Sequence, residues 1–191
     1  MIAGVDEAGR GPWAGPVVAG AAILVPGVVP CDLLEQLDDS KKLKAALRAD
    51  LFNRMLETAG VALGVGQASV AEIDEHNILQ ATMMAMGRAV ADLGSVPDLT
   101  LVDGNREPEM SCVVRTVIKG DAKSLSIAAA SIAAKETRDR IMAELAVEHP
   151  GYGWEKNAGY GTAQHQAALT SLGVTPHHRR SFKPIQKLLQ A

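Results

Sequence analysis

The chain has 191 residues, 47% hydrophobic, 21% charged and only 3% aromatic, with a net charge of −3. That suffices to bury one sizeable core of Ala, Val, Leu and Ile, and it excludes both disorder and nucleic-acid binding by bulk positive charge, though not by a local basic patch. Cys31 and Cys112 are too few for a disulfide framework or a cysteine zinc site, and no apolar run is long enough to span a membrane.

Met1–Val5 passes straight into Asp6-Glu7 without the basic start of a signal peptide, so a cytoplasmic protein is expected. Residues 1–6 and 15–25 read as two strands rich in Val, Ile and Ala, joined by the loop AGRGPWA. Leu43, Leu47, Leu51 and Met55 recur at i, i+4 and predict a helix over 41–58, opening after the capping residues Asp39-Ser40. A third strand follows at 61–68, then a helix over 77–93 with Ile78, Met83, Met86 and Val90 near one face. Leu99–Val102 and 113–118 are further strands. The Ala-rich stretch 122–147 reads as a long helix whose small residues suit close packing on a sheet, and Pro150, Gly151 and Gly153 end it. This order argues for an α/β protein with a mixed central sheet flanked by helices. Residues 1–150 form the body, and 151–191 form a helical C-terminal extension of the same structural unit.

Charge is uneven. Residues 150–191 carry Lys156, Arg179, Arg180, Lys183 and Lys187 against the single acid Glu155, with His165, His177 and His178 nearby. A basic tail on an acidic body points to an anionic partner, although a plain solvated surface has the same composition.

Four acids stand where core elements end. Asp6 and Glu7 follow the apolar run Ile2–Val5, Asp103 closes LTLV before Gly104, and Asp121 sits where a strand gives way to a helix. Neighbouring side chains on a strand point to opposite faces, so Asp6 and Glu7 meet one ion only if the strand ends or bulges there. No cysteine or histidine lies beside them, so an oxygen-only set favours a hard ion, Mg²⁺ or Mn²⁺. Taken singly, each aspartate also suits an ordinary turn. Gly9-Arg10-Gly11 exposes backbone groups beside a guanidinium fork, and Ser40-Lys41-Lys42 sets a hydroxyl and two ammonium groups at a helix start; both also suit a plain turn or cap. Tyr160, flanked by Gly159 and Gly161, is presented either for stacking or for loop packing. In His177-His178-Arg179-Arg180-Ser181-Phe182 the basic groups suit phosphates, and Phe182 suits pinning the tail. His76 reads as a surface histidine.

These pieces resemble, in order, the motifs of the ribonuclease HII family. The opening IAGVDEAGRGP, with AGPVV after it, carries the resemblance, as do DSKKL at 39–43, NILQAT at 77–82, VDG at 102–104 and KGD at 119–121. AASIAAK at 129–135, GY at 159–160 and HRRSF at 178–182 continue it to about residue 182. The resemblance implies an RNase H-like fold and endonucleolytic hydrolysis of RNA in RNA–DNA hybrids. It also implies incision on the 5′ side of single ribonucleotides in duplex DNA, leaving 3′-hydroxyl and 5′-phosphate ends. It further implies that Asp6, Glu7, Asp103 and Asp121 hold Mg²⁺ or Mn²⁺, Asp121 less firmly than the others. Two divalent ions would neutralise the phosphodiester and activate water. By the same resemblance Gly9, Arg10 and Gly11 read the ribonucleotide 2′-OH, and Tyr160 stacks on the sugar of the next deoxynucleotide. Ser40, Lys41, Lys42, Asn77 and Arg179 lie near the substrate backbone. Asp121 in place of Glu, and a catalytic motif beginning at residue 6, separate the chain from the related HIII family, which carries an extra N-terminal domain. Trp13 departs from the family pattern, where a smaller aliphatic residue is expected. No sliding-clamp motif stands in 185–191, and a monomer suffices. The alternatives are another metal nuclease, such as a resolvase, and a non-catalytic nucleic-acid-binding module.

Overall fold

The computed structural model describes residues 1–190. Five strands form one mixed sheet: β1 (Ile2–Ala8), β2 (Val17–Leu24), β3 (Val61–Ala68), β4 (Leu99–Asp103) and β5 (Val113–Val117), in the order β3-β2-β1-β4-β5. β1, β2 and β3 pair antiparallel, whereas β4 and β5 join parallel to β1. Helices α1 (Cys31–Leu34), α2 (Ala45–Glu57), α3 (Val70–Ala91), α4 (Leu125–Glu148), α5 (Trp154–Asn157), α6 (Ala163–Leu172) and α7 (Lys183–Leu189) complete the chain. None of these helices is long and apolar enough to cross a membrane.

Strand alternation divides the core into two layers. Ala3, Val5, Ala19 and Ala21 face α3 with Ala81, Ala85 and Ala89, while Ala22 on the other face packs with α2 and the alanines of α4. The scarcity of aromatic residues is what allows this thinness. At Gly20 an added Cβ would lie 2.2 Å from the Ala130 carbonyl oxygen, so α4 sits almost on the backbone of β2. Arg48 of α2 reaches Glu136 at 3.3 Å and Asp139 at 2.9 Å, tying α2 to the outer part of α4.

Three helix starts differ from expectation. The helix expected from 41 begins at Ala45, and its N-cap is Lys44, not Asp39 or Ser40. Ser40 is drawn beneath α4 instead, where its hydroxyl lies 2.6 Å from that of Ser131. The helix expected from 77 begins at Val70 behind a capping box formed by Ser69 and Glu72. It is broken at Asn77 (φ 68, ψ 163), a backbone region almost reserved for glycine. The stretch expected to be helical from 122 starts as a single 3₁₀ turn, Gly120–Ala122, before α4.

Beyond α4 the chain forms a third cluster in which Tyr152, Trp154, Leu169 and Ile185 close over Ala14 and Met142. Two of the chain's few aromatic rings are therefore spent at the junction of the C-terminal segment with the body.

Candidate active site

Sheet register brings the first two carboxylates together. Val5 pairs with Val102 across the parallel β1–β4 ladder, so Asp6 and Asp103 are the next residues on adjacent strands and share one face. Gly20, opposite Asp6 on β2, lies under α4, so that face is the α4 face. Asp6 is buried, its Oδ1 accepts from the Glu7 amide at 2.7 Å, and the nearby Ser131 hydroxyl of α4 favours its charged form. Ser131 in turn shares a 2.6 Å hydroxyl contact with Ser40, so two buried hydroxyls stand behind the acid. Asp103 Oδ1 accepts from the Gly120 amide at 2.6 Å, which ties it to the turn that carries Asp121. Asp121 accepts from the Ala122 amide at 2.9 Å and lies close enough to Lys42 for the two charges to interact.

Glu7 joins them without a bulge. β1 stays regular through Ala8 against β2, but its pairing with β4 stops at Val5, so one flank is open beyond that point. Glu7 feels the charge of Asp103 and accepts from Arg10 at 3.2 Å. Burial, then the charges of Glu7 and Asp103, push the Asp6 carboxyl well above the usual carboxylate range. Burial chiefly raises Glu7 as well, with Arg10 pulling it back. Carboxylates forced together in this way are short of positive charge, and an all-oxygen set suits a hard divalent cation. The residues present therefore fit Mg²⁺ or Mn²⁺.

Glu7, Gly9, Arg10, Gly11, Lys41 and Tyr160 line one cleft of about 250 Å³, with Lys135 and Arg138 of α4 behind them. The Gly9–Gly11 loop is anchored through its carbonyls. Arg179 donates to Gly9 O at 2.6 Å, Arg10 O at 3.0 Å, Gly15 O at 2.9 Å and Pro16 O at 3.1 Å. Arg138 donates to Pro16 O, Ala158 O and Ala14 O at 3.1, 3.0 and 3.1 Å, and any Cβ on Gly9 would overlap it. With the carbonyls of Gly9 and Arg10 held inward, the amides of Gly9, Arg10 and Gly11 have no acceptor among the described residues. Burial, aided by the charge of Arg138, lowers Arg179 to about 9, and burial lowers Arg138 to about 10. Both stay charged at neutral pH, and neither bonds a carboxylate.

Several expected contacts are placed differently. Arg179 is fully buried behind the loop, so it holds the loop and does not present a donor to solvent. Ser40 is likewise buried and oriented toward Ser131. His178, read as part of a basic surface cluster, is also buried. Lys42 is exposed and pairs with Asp38 at 3.1 Å. Asn77 is exposed, and its Oδ1 caps the second half of α3 through Leu79 N at 2.9 Å and Gln80 N at 3.2 Å. Trp13 covers Gly161 and stands 5.8 Å from the His165 ring, packing over the tail and away from the acids. Ser131 and Lys135 fall within the helix motif AASIAAK, but the sequence assigns no role to them or to Arg138. Their signal was the polar interruption of an alanine run on one helix.

A mixed five-stranded sheet with carboxylates at the ends of its central strands defines an RNase H-like nuclease fold. The family model for ribonuclease HII matches residues 3–185, and the chain belongs to that family. A ribonuclease HII of Rhodospirillum rubrum is 61% identical over 188 residues, covering 98% of this chain and 86% of the relative. The crystal structure of ribonuclease H2 from Pyrococcus horikoshii superposes with a TM-score of 0.81 at 28% identity, covering 99% of this chain and 97% of that one. A Bst-RNase HIII in complex with Mn²⁺ shares the fold with a TM-score of 0.78 at 18% identity, covering 99% and 69% respectively. The protein is thus a metal-dependent hydrolase with ribonuclease H activity.

Proposed function

We propose that the protein cleaves the RNA strand of RNA–DNA hybrids and incises on the 5′ side of single ribonucleotides embedded in duplex DNA, leaving 3′-hydroxyl and 5′-phosphate ends. The observation that carries this reading is the confluence of acids and loop. Gly9, Arg10 and Gly11, whose amides have no acceptor among the described residues, line one cleft with Glu7, which follows Asp6 and feels the charge of Asp103. An acceptor oxygen such as the ribose 2′-OH suits those amides, and reading it through the backbone imposes no base preference. Asp6, Glu7, Asp103 and Asp121 would hold Mg²⁺ or Mn²⁺, two ions during catalysis, supplying charge neutralisation at the scissile phosphate and an activated water.

The chain's own residues do the rest. The Glu7 amide holds Asp6 Oδ1, and the Gly120 amide holds Asp103 Oδ1. Tyr160, half-exposed above Gly11, offers a ring face to the neighbouring deoxynucleotide sugar. Lys41, which lines the cleft, and the exposed Lys42 and unshared Nδ2 of Asn77 would contact backbone phosphates. The buried charges of Arg138 and Arg179 add positive potential beneath the loop. Residues 151–191 act as the substrate-binding extension of a cytoplasmic monomer.

An end-labelled duplex carrying one ribonucleotide, incubated with Mg²⁺ or Mn²⁺ beside an all-DNA duplex, tests this. Cleavage only 5′ of the ribonucleotide, lost in Asp103→Asn with binding retained, is the expected result. Equal cutting of the all-DNA duplex would replace the reading with a nuclease of other specificity. Tight binding without cutting would replace it with a binding module.

A further inference from the structure

Beneath the Tyr160 loop lies a buried hydrogen-bond chain that no step of the proposed chemistry uses. His178 Nδ1 accepts from the Thr175 amide at 2.9 Å. An amide only donates, so that nitrogen carries a lone pair, and in neutral His178 the proton sits on Nε2. His178 Nε2 lies 3.0 Å from His165 Nε2, which therefore accepts, and Trp154 Nε1 donates to the same atom at 3.2 Å. The proton of neutral His165 is thereby forced onto Nδ1, which donates to the Tyr160 carbonyl at 2.9 Å. Each link dictates the next, and the whole chain has one direction. His165 and His178 are fully buried, and Trp13, Tyr152 and Trp154 surround them. Such dry surroundings strengthen each bond and make any reversed link costly.

The receiving loop needs holding. Ala158 and Gly159 are both left-handed (φ 48 and 83), and only Gly159 adopts that region freely. Tyr160 follows directly, with its ring half-exposed in the cleft. The far end of the chain is rooted in the segment around Thr175, which is stitched to the residues just after the reading loop by Gly15 N to His177 O at 2.9 Å and Arg179 N to Trp13 O at 2.8 Å, and to the loop itself by the Arg179 side chain. The chain thus spans from the anchor of one substrate-facing loop to the backbone of the other.

We propose that His165 and His178 are positioning residues for the substrate: their one-directional chain from the Thr175 amide to the Tyr160 carbonyl sets the Tyr160 ring at the height required for stacking on the nucleic acid. This rests on the reading of Tyr160 given above, and the tests separate the two.

Imidazole ¹⁵N spectra of the full chain report the tautomers directly. Nδ1–H on His165 with Nε2–H on His178 is expected, and the opposite pair would overturn the proposal. Steady-state kinetics on the single-ribonucleotide duplex then compare Tyr160→Ala, His165→Gln and His165→Asn. Asn places its amide near the Nδ1 position and retains a donor to Tyr160 O; Gln places its amide near Nε2 and retains only the acceptor. His165→Gln should raise KM about tenfold, as Tyr160→Ala does, with kcat retained. His165→Asn should recover most of that loss despite a similar fall in Tm. In the Tyr160→Ala background, His165→Gln should add nothing. If Tyr160→Ala leaves KM unchanged, the stacking reading fails. If Tyr160→Ala is impaired while the two histidine variants follow Tm alone, or combine independently with it, the positioning role fails.

Discussion

Arg179→Lys separates hydrogen-bond geometry from charge. Both side chains are cationic, so most of the cost of burying a charge is common to the two, and the difference reports the donors. The guanidinium satisfies four carbonyls, with Nε on Gly15, Nη1 on Arg10 and Nη2 on Gly9 and Pro16. An ammonium occupies one point at the end of its stem and cannot serve both the Gly15 side and the Gly9–Arg10 side. At least two buried carbonyls lose their donor, each costing about 1–3 kcal/mol. The expected loss is about 2–6 kcal/mol, or roughly 5–20 °C in Tm for a domain of this size. Urea unfolding of the metal-free protein at pH 7 measures it, and KM on the single-ribonucleotide duplex should rise as the loop slackens. A stability loss below about 1 kcal/mol would refute the reasoning, because it would mean that the four contacts are dispensable or that water replaces them.

Gly20→Ala should destabilise by about 3 kcal/mol or more, or yield insoluble protein, because its Cβ would meet the Ala130 carbonyl at 2.2 Å; soluble expression and denaturant midpoint check it. Burial first and then the charge of His165 hold His178 down to about 4, with the Thr175 backbone pulling it back up and the nearby His177 and His149 lowering it further. Its folded value lies below the unfolded value of about 6.5, so its contribution is intact above about pH 6.5 and is lost as pH falls toward 4. Urea midpoints across that window should therefore fall more steeply for the natural chain than for His178→Phe. Asp6 works in the opposite direction, since its raised carboxyl costs stability once ionised at neutral pH. Asp6→Asn should stabilise the metal-free protein by roughly 1–2 kcal/mol while abolishing turnover, as scanning calorimetry in chelator with a parallel cleavage assay would measure.

Local pattern and tertiary placement were unequally legible. The acids stand out because each ends an apolar run or begins a turn, and runs of that kind reflect burial of strands β1 and β4. That Asp6 and Asp103 share a face depends on the Val5–Val102 register, a pairing across almost a hundred residues that no local pattern encodes. The start of α3 was marked by Ser69-x-x-Glu72, a capping-box signature, but the mixed composition after it hid the helix, and the break at Asn77 mimicked a helix start. α1, a single turn, left no periodicity to find.

The basic tail misled for a different reason. Lys and Arg are buried so seldom that a cluster such as His178-Arg179-Arg180 reads as surface. Here Arg180 is exposed, while His178 and Arg179 are both fully buried. The cause lies in the other loop. A glycine-rich turn that aims its amides at a ligand must turn its carbonyls elsewhere, and inside the protein those carbonyls require donors. Arg179 supplies them to Gly9 and Arg10, while its remaining donors and those of Arg138 hold the flanking carbonyls of Ala14, Gly15, Pro16 and Ala158. The GRG motif is therefore legible as a candidate reader of the ribonucleotide, but its rigidity belongs to α4 and to the C-terminal segment. Substitutions there should alter substrate recognition without touching any of the four candidate metal-binding carboxylates.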